Sequence, residues 1–275
     1  MARVTRLVLL SSGGATARAL SHLLVEDGIR SSILTMSPPA PSRATRSLFR
    51  YVVARARSRL GAVEALRRWR QSGLPPFAAP DVFIGACNGA RMVATLATTR
   101  PDFILMMGGG LLSPEVIRTA RHGVLNAHPG LLPYIRGVDV IRHAVLRGVP
   151  IGVTLHYIDE GIDTGRLIRR WLVPVHDGDD WAGIAARADQ LSTQAMRWAA
   201  HRVVAEGALP SQPQHERFPL CRRLPEAQAR EADRRIAGGE AKRLYEQARA
   251  TGDVADGGEL CRLGREPGSR HVANL

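Results

Sequence analysis

A five-residue apolar run that ends in three glycines leaves few folds open to this chain. Residues 103–107 read Phe-Ile-Leu-Met-Met, and Gly108, Gly109 and Gly110 follow. A short apolar run without polar alternation is typical of a strand that is buried on both faces of a parallel sheet. Because parallel neighbours need crossover connections, which are usually helices, the run predicts an α/β architecture.

Strand and helix patterns alternate on both sides of this run. At the N-terminus, an apolar segment at 4–10, a glycine loop at 11–16 and a helical segment at 17–25 follow one another. Further strands are predicted at 32–36, 81–86, 124–128, 153–158 and 167–175, and further helices at 90–98, from 113 to about 121, at 181–204 and, once or twice, within 42–69. This order predicts a Rossmann-like, mostly parallel sheet with helices on both faces.

The composition changes after residue 206, and this change predicts a domain boundary. Residues 1–206 are predicted to form the main domain. Residues 207–275 are poor in apolar side chains and rich in Arg, Glu, Gly and Pro, so they are predicted to form a small C-terminal extension. One helix is predicted near 227–250, followed by a disordered tail.

The bulk properties exclude several classes of protein. With 275 residues, of which 45% are hydrophobic and 23% charged, the chain has the composition of a packed globular protein rather than of a collagen or a disordered chain. No stretch approaches the ~18 apolar residues of a membrane span, and the apolar run at 7–10 is short for a signal peptide. The prediction is a cytoplasmic protein with no membrane partner. Cys87, Cys221 and Cys261 form no C-x-x-C pair, so no metal site is predicted.

The net charge of +13 raises the question of a nucleic-acid partner. All but one of the 38 cationic side chains are arginines, Lys242 being the exception, and they are scattered along the chain with little aromatic interleaving. Base-stacking proteins combine basic grooves with aromatic side chains. The pattern therefore favours an anionic small substrate over a nucleic acid, and tRNA remains open as the nucleic-acid alternative.

The most informative stretch runs from residue 102 to residue 175 and carries five short motifs in a fixed order. They are Asn126-Ala127-His128-Pro129, Leu131-Leu132-Pro133, Arg136-Gly137, Gly152-Val153-Thr154-Leu155-His156 and Asp163-Thr164-Gly165. Their combination resembles the formyltransferases that use 10-formyltetrahydrofolate, a group that includes glycinamide ribonucleotide transformylase, methionyl-tRNA formyltransferase and the amino-sugar N-formyltransferases. The resemblance implies a transferase of one-carbon metabolism, with residues 1–206 as its catalytic domain and 10-formyltetrahydrofolate as formyl donor.

The residue types fit that chemistry. Residues i and i+2 of a strand project from the same face, so Asn126 and His128 are predicted to share a pocket. Formyl transfer to an amine passes through a tetrahedral intermediate whose oxygen is negative, and Asn126 and a protonated His128 would stabilise that oxygen. Asp163 would orient His128, favour its protonated form and help to remove the proton of the amine. The catalytic Asn, His and Asp of the family fall on these three positions.

The resemblance also predicts the binding sites. The pterin end of the folate would lie between two loops and accept backbone hydrogen bonds from them. The predicted cofactor-binding residues are Gly108, Gly110, Leu111, Leu112, Asp159, Glu160 and Ile162. The predicted acceptor-binding residues are Ser12, Gly13, Gly14 and Arg136. His156 also matches the family pattern and is interpreted as a structural or supporting residue.

The sequence favours N-formylation of a primary amine on a small acceptor that is anionic or nucleotide-linked, such as an amino sugar. Three alternatives stay open. Methionyl-tRNA formylation is supported by the basic charge and opposed by the short C-terminal part, hydrolysis of 10-formyltetrahydrofolate would use water in place of the amine, and a folate-binding protein would show no turnover. A nicotinamide-dependent oxidoreductase is disfavoured because the first glycine loop lacks the full G-x-G-x-x-G pattern. The oligomeric state is open, with a homodimer among the options.

Overall fold

The computed structural model describes residues 5–37, 74–216 and 218–263. The strands are β1 (Leu7–Ser11), β2 (Ser31–Ser37), β3 (Asp81–Ala86), β4 (Phe103–Met107), β5 (Gly123–His128), β6 (Gly152–Tyr157), β7 (Leu167–Leu172) and β8 (Ala255–Asp256). The helices are α1 (Ala15–Glu26), α2 (Ala90–Thr99), α3 (Pro114–Ile117), α4 (Val140–Leu146), α5 (Trp181–Glu206), α6 (Glu226–Ala237), α7 (Glu240–Thr251) and α8 (Gly257–Leu263).

These strands form one mixed sheet in the order β3-β2-β1-β4-β5-β6-β7-β8. The first five strands of that order are parallel to one another. The strand β6 is antiparallel to both β5 and β7, and β8 is parallel to β7. The predicted mostly parallel sheet is therefore confirmed. The strands β5 and β6, which carry two of the five sequence motifs, are neighbours in the sheet.

A hydrophobic layer covers each face of the sheet, and β4 is fully buried between the two layers, as its unbroken apolar run predicts. Phe103 and Leu105 face one layer, whereas Ile104 and Met106 face the other. The first layer contains α1, α4, α5 and residues of α6, α7 and α8, and the second contains α2 and α3. Burying an aliphatic side chain of this size contributes about 1.5 to 3 kcal/mol to folding.

Most predicted elements agree with the structure within two or three residues, and two helices differ. The helix predicted from 113 to about 121 ends at Ile117, because the backbone N–H groups of Arg121 and His122 donate to the carbonyls of Pro101 and Asp102 and lead the chain into β5. The single helix predicted near 227–250 is wrong, because Gly239 adopts a φ of 85° and separates α6 from α7. A left-handed glycine is a common helix terminator.

Three elements lacked a sequence prediction: α4, β8 and α8. The last two belong to the C-terminal extension, in which Cys221 and Ile236 are buried in the first layer and β8 extends the sheet. The helices predicted within 42–69 lie outside the described residues. Of the predicted disordered tail, residues 252–263 contain β8 and α8, and residues 264–275 lie outside the described residues. In the part of the chain that the structure covers, no helix has the length and apolar character to cross a membrane.

Candidate active site

The pairing of β5 with β6 places four polar side chains on one face of the sheet. Asn126 lies opposite His156, and His128 lies opposite Thr154. Ala127, between Asn126 and His128, packs into the hydrophobic layer on the other face. Because successive side chains of a strand point to opposite faces, Ala127 packs in the core while Asn126 and His128 line the site.

His128 is 4% exposed, and both ring nitrogens face protein acceptors. Its Nε2 lies 2.9 Å from the carbonyl oxygen of Ile135 and donates to it, because a carbonyl can only accept. The opposite nitrogen, Nδ1, lies 3.5 Å from Oδ2 of Asp163. Gly130 makes the first contact possible, because a Cβ there would lie 2.6 Å from the Ile135 oxygen and 2.8 Å from Nε2. Nδ1 is therefore the nitrogen of His128 that remains able to exchange a proton on the side of Asp163.

His156 is held as a neutral ring. Burial, reinforced by the proximity of His128, lowers the pKa of His156 to about 4, and Asp163 opposes this shift without offsetting it. Nδ1 donates to the carbonyl oxygen of Tyr157 over 2.8 Å, so the unprotonated Nε2 accepts from Nδ2 of Asn126 over 3.1 Å. This hydrogen bond sets the orientation of the Asn126 carboxamide and leaves its second N–H for another acceptor.

Asp163 reaches the two rings from the loop between β6 and β7. Its Oδ2 accepts a hydrogen bond of 2.8 Å from the backbone N–H of Gly137, and its Oδ1 lies 3.7 Å from Nε2 of His156. The residue has a φ of 53°, in the left-handed region that a non-glycine residue adopts at a cost of about 1 to 2 kcal/mol. The surrounding contacts must therefore hold the bend in place.

The bend that carries Asp163 is closed by its own polar groups. Oδ1 of Asp159 accepts from the backbone N–H of Gly161 over 3.1 Å and from the hydroxyl of Thr164 over 2.6 Å. A Cβ at Gly165 would collide with the carbonyl oxygen of Tyr157. The glycine that follows the predicted catalytic aspartate is thus required by the close approach of two backbone segments.

The predicted cofactor loops occupy the same face of the sheet. Leu112 and Ile158, one from each side, belong to the same hydrophobic layer. Residues 108–111 present exposed or half-exposed groups, and Leu111 is 62% exposed. In the facing loop, Glu160 is exposed and Ile162 half-buried. The carboxylate of Asp159 is already engaged within the bend, as described above.

Asn88 braces the glycine loop from outside. Its Nδ2 donates to the carbonyl oxygen of Leu111, and its Oδ1 accepts from the backbone N–H of Ser113, both over 2.8 Å. Asn88 has a φ of 62°, which asparagine tolerates better than most residues. The two hydrogen bonds fix the position of residues 111–113 relative to the loop after β3.

The predicted acceptor-binding residues fall into two places. Ser12, Gly13 and Gly14 lie at the N-terminus of α1, where the N–H of Ser12 donates to the carbonyl of Gly108 over 3.3 Å and so joins the two glycine loops. Arg136 lies on the other side of the site, next to the Gly137 N–H that binds Asp163. Its Nε is buried and has no hydrogen-bond partner among the described residues.

Sequence reasoning missed several groups that shape this site. Thr154 donates to the carbonyl of Gly130 over 2.7 Å and accepts from the N–H of Leu132 over 3.0 Å, so it holds the turn after His128. The Ile135 carbonyl and the side chain of Gln214 were also missed. The signal for Thr154 was available, since it alternates with His156 on the same strand, whereas a backbone carbonyl and a residue 51 positions from Asp163 have no local signature.

In the described residues, no three His, Cys, Asp or Glu side chains are grouped to hold a metal ion.

Comparisons with known proteins give a family match for part of the chain. Residues 86–199 match the family described as formyl transferase. Methionyl-tRNA formyltransferase of Nitrosomonas europaea is 34% identical over 125 residues, which make up 45% of this chain and 38% of that protein. The trifunctional purine biosynthetic protein adenosine-3 of Drosophila pseudoobscura pseudoobscura is 38% identical over 119 residues, or 42% of this chain and 8% of that protein.

Two solved structures share the fold. A sugar N-formyltransferase from a Shewanella species superposes with a TM-score of 0.56 at 13% identity and covers 85% of this chain and 87% of its own. Phosphoribosylglycinamide formyltransferase from Bacillus halodurans superposes with a TM-score of 0.52 at 19% identity and covers 74% of this chain and 97% of its own. The resemblance seen in the ordered motifs is confirmed for residues 86–199, which match the formyl transferase family.

Proposed function

We propose that this protein transfers the formyl group of 10-formyltetrahydrofolate to a primary amine of a small acceptor that is anionic or nucleotide-linked, such as an amino sugar. The observation that carries the proposal is the convergence of Asn126, His128 and Asp163 around one corner of the sheet. Methionyl-tRNA formyltransferase of Nitrosomonas europaea, a formyltransferase by name, supports the proposal over less than half of this chain.

The hydrogen bonds support a different role for each of the three residues. His156 takes one N–H of Asn126, so the other N–H is the group available to donate to the formyl oxygen as that oxygen becomes negative. The Nε2–H group of His128 donates to the carbonyl oxygen of Ile135 and is therefore not available to the substrate. The charge of the ring and its Nδ1 edge would act on the reacting carbon instead. Asp163, which faces Nδ1, would accept the proton that the attacking amine loses, directly or through water.

Two features support a folate between residues 108–112 and 159–162. Gly108 adopts a φ of 74°, in the left-handed region that favours glycine. The loop therefore presents bare backbone at this position, which suits the close approach of a ring whose edges need amide and carbonyl partners. Leu112 and Ile158 supply apolar walls in the same layer. When bound, 10-formyltetrahydrofolate supplies the activated formyl group, and the protein supplies position and proton transfer.

An anionic acceptor is supported by the groups opposite the catalytic residues. The N-terminus of α1, at Gly14, carries backbone N–H groups that no side chain caps, and helix N-termini favour negative charge. The net charge of +13 acts in the same direction. Arg136 is the cation of the described site that lies nearest in sequence to the Gly137–Asp163 contact.

Methionyl-tRNA is the second candidate acceptor, because a methionyl-tRNA formyltransferase matches 45% of the chain. The two acceptors differ in how their binding responds to salt. A protein that neutralises several phosphates loses about 10³- to 10⁵-fold in affinity between 50 and 200 mM salt, whereas a single sugar nucleotide makes few such contacts. A salt titration of tRNA binding therefore separates the two candidates.

The direct test is to incubate the purified chain with 10-formyltetrahydrofolate and a panel of amines, including amino sugars, nucleotide-linked amino sugars and methionyl-tRNA. Folate release and the mass of each acceptor are followed together. We expect release to depend on one acceptor class, whose mass rises by one formyl group. Release without any acceptor would indicate a hydrolase, and tight folate binding with no release would indicate a binding protein.

The His128→Ala variant tests the assigned chemistry. We expect kcat to fall about 10²- to 10³-fold with little change in folate affinity. His122→Ala is the matched control, because His122 is exposed and precedes the opposite end of β5. Near-wild-type transfer by a folded His128→Ala protein would show that the role given to this ring is wrong.

A further inference from the structure

One segment of the C-terminal extension contacts both the bend that carries Asp163 and the turn at residues 136–138, whose Gly137 N–H donates to the Asp163 carboxylate. This segment, residues 211–216 and 218–224, is called the strap below. It follows α5 and precedes α6. Buried Leu209, which precedes the strap, and buried Cys221, which lies within it, belong to the hydrophobic layer that contains α5.

The first half of the strap is attached to the Asp163 bend. The backbone of Gln212 exchanges two hydrogen bonds of 2.8 Å with Leu167, at the beginning of β7. Two residues further on, Nε2 of Gln214 donates to the carbonyl oxygens of Asp163, over 3.1 Å, and Gly165, over 2.7 Å. One carboxamide thus binds the backbone on both sides of Thr164.

The second half of the strap is attached to the turn that donates to the Asp163 carboxylate. The N–H of Cys221 donates to the carbonyl of Arg136 over 2.8 Å, and the carbonyl of Cys221 accepts from Val138 over 3.0 Å. A Cβ at Gly137 would collide with that same carbonyl of Cys221. The backbone bonds of Cys221 to Arg136 and Val138 therefore fix the position of the Gly137 N–H, which donates to Asp163.

These contacts stabilise the backbone of Asp163, whose left-handed conformation is unfavourable for a non-glycine residue. Asp163 has a φ of 53°, and its carboxylate must lie between the Gly137 N–H and Nδ1 of His128. The internal hydrogen bonds of the bend, through Asp159, end at Thr164 and leave the Asp163 and Gly165 carbonyls to Gln214. A displacement of about 1 Å at a reacting group can cost as much as 10²-fold in rate.

We propose that Gln214 is a positioning residue for the proposed formyl transfer: through its two hydrogen bonds to the Asp163 bend, it keeps the Asp163 carboxylate against the Gly137 N–H and His128. The inference rests on the proposed function for its kinetic consequence, but the positioning itself is a property of the structure that is measurable without turnover. Gln214 touches neither ring, so its effect passes through Asp163.

The test compares three variants of the full chain by residue-resolved amide hydrogen exchange and by steady-state kinetics. Gln214→Ala removes both donors, and Gln214→Glu keeps the shape while directing a carboxylate at two carbonyls. Gln212→Ala is the matched control, because the Gln212 side chain is exposed and its backbone bonds persist. We expect both Gln214 variants to exchange the Gly137 amide about 10-fold faster, with exchange in β4 unchanged.

In the kinetic arm, we expect both Gln214 variants to lose about 10- to 100-fold in kcat while the dissociation constant for tetrahydrofolate stays within about 2-fold. Gln212→Ala should match the wild type in every measurement. The proposal is overturned by unchanged Gly137 exchange in Gln214→Ala, by wild-type behaviour of Gln214→Glu, or by equal effects of Gln212→Ala. If the wild type transfers formyl to no amine, the proposed function fails, and the exchange data still decide whether Gln214 positions the bend.

Discussion

The two sides of the candidate site differ in the kind of group that they present. On one side, Asn126, His128, His156 and Asp163 present side chains that are largely buried and that interact through protons and charge. On the other side, residues 108–112 present mainly backbone groups and are partly exposed, with a neutral asparagine as their brace. We therefore expect catalytic rate and pH dependence to reside on the first side and folate affinity on the second.

The largest expected effect comes from Asp163→Asn. Asparagine retains an oxygen for the Gly137 N–H but loses the negative charge that faces His128 and the ability to take a proton from the amine. We expect kcat to fall at least about 100-fold while folate affinity changes little. Steady-state kinetics with the acceptor found in the amine panel measure both quantities.

Asp159→Asn is the control for that variant, because the Asp159 carboxylate hydrogen-bonds within the same bend, to Gly161 and Thr164. It should lose far less activity than Asp163→Asn. Equal losses in the two variants would mean that the bend needs its shape and not the charge of Asp163.

The second effect concerns pH and His156. Because the folded-state pKa of His156 is about 4 and the unfolded value about 6.5, the unfolded chain binds more protons between these values. The free energy of unfolding should therefore fall as the pH drops below 6.5, and this residue accounts for about 2 kcal/mol of that loss at pH 5. Urea unfolding of His156→Gln at pH 7 and pH 5 should show a difference smaller by that amount.

His176→Gln serves as the reference for the pH experiment, since His176 is exposed. The change in pH dependence caused by His156→Gln should exceed the change caused by this variant. A His156→Gln protein with the same pH dependence as the wild type would show that the ring does not remain neutral in the folded state.

The smallest expected effect comes from the other side of the site. Asn88→Gly removes both hydrogen bonds to residues 111 and 113 but keeps the left-handed φ accessible. We expect the KM for 10-formyltetrahydrofolate to rise about 10-fold with kcat nearly unchanged, the loss of two exposed hydrogen bonds being worth about 1 kcal/mol or somewhat more. The change should be independent of pH between 6 and 8, because no charge is involved.

Asn88→Asp sharpens this comparison. Aspartate keeps the acceptor for Ser113 but directs a charge at the carbonyl of Leu111, so its KM should be at least as high as that of Asn88→Gly. A fall in kcat without a change in KM, in either variant, would contradict the division of the site into a catalytic and a binding side.

Much of this molecule was predictable from short-range patterns. The buried run at 103–107 and the i, i+2 relation of Asn126 and His128 each depend on residues that are close in sequence, and periodicity reports such relations directly. The break between α6 and α7 was missed even though Gly238-Gly239 is visible in the sequence, because the surrounding apolar spacing continues across it. The β8 strand is two residues long and has no periodicity to detect.

By itself, the sequence determined the fold class, the resemblance of residues 86–199 to formyl transferases and the order of the polar residues along the chain, because these depend on local patterning and on motifs within about 40 residues. Only the tertiary structure decided which nitrogen of His128 faces Asp163, that His156 orients Asn126, and that Gln214 hydrogen-bonds to the bend of Asp163. Each of these depends on a backbone carbonyl or an amide brought close by chain segments far apart in sequence. Such groups are present at every residue, so no residue type in the sequence can mark them.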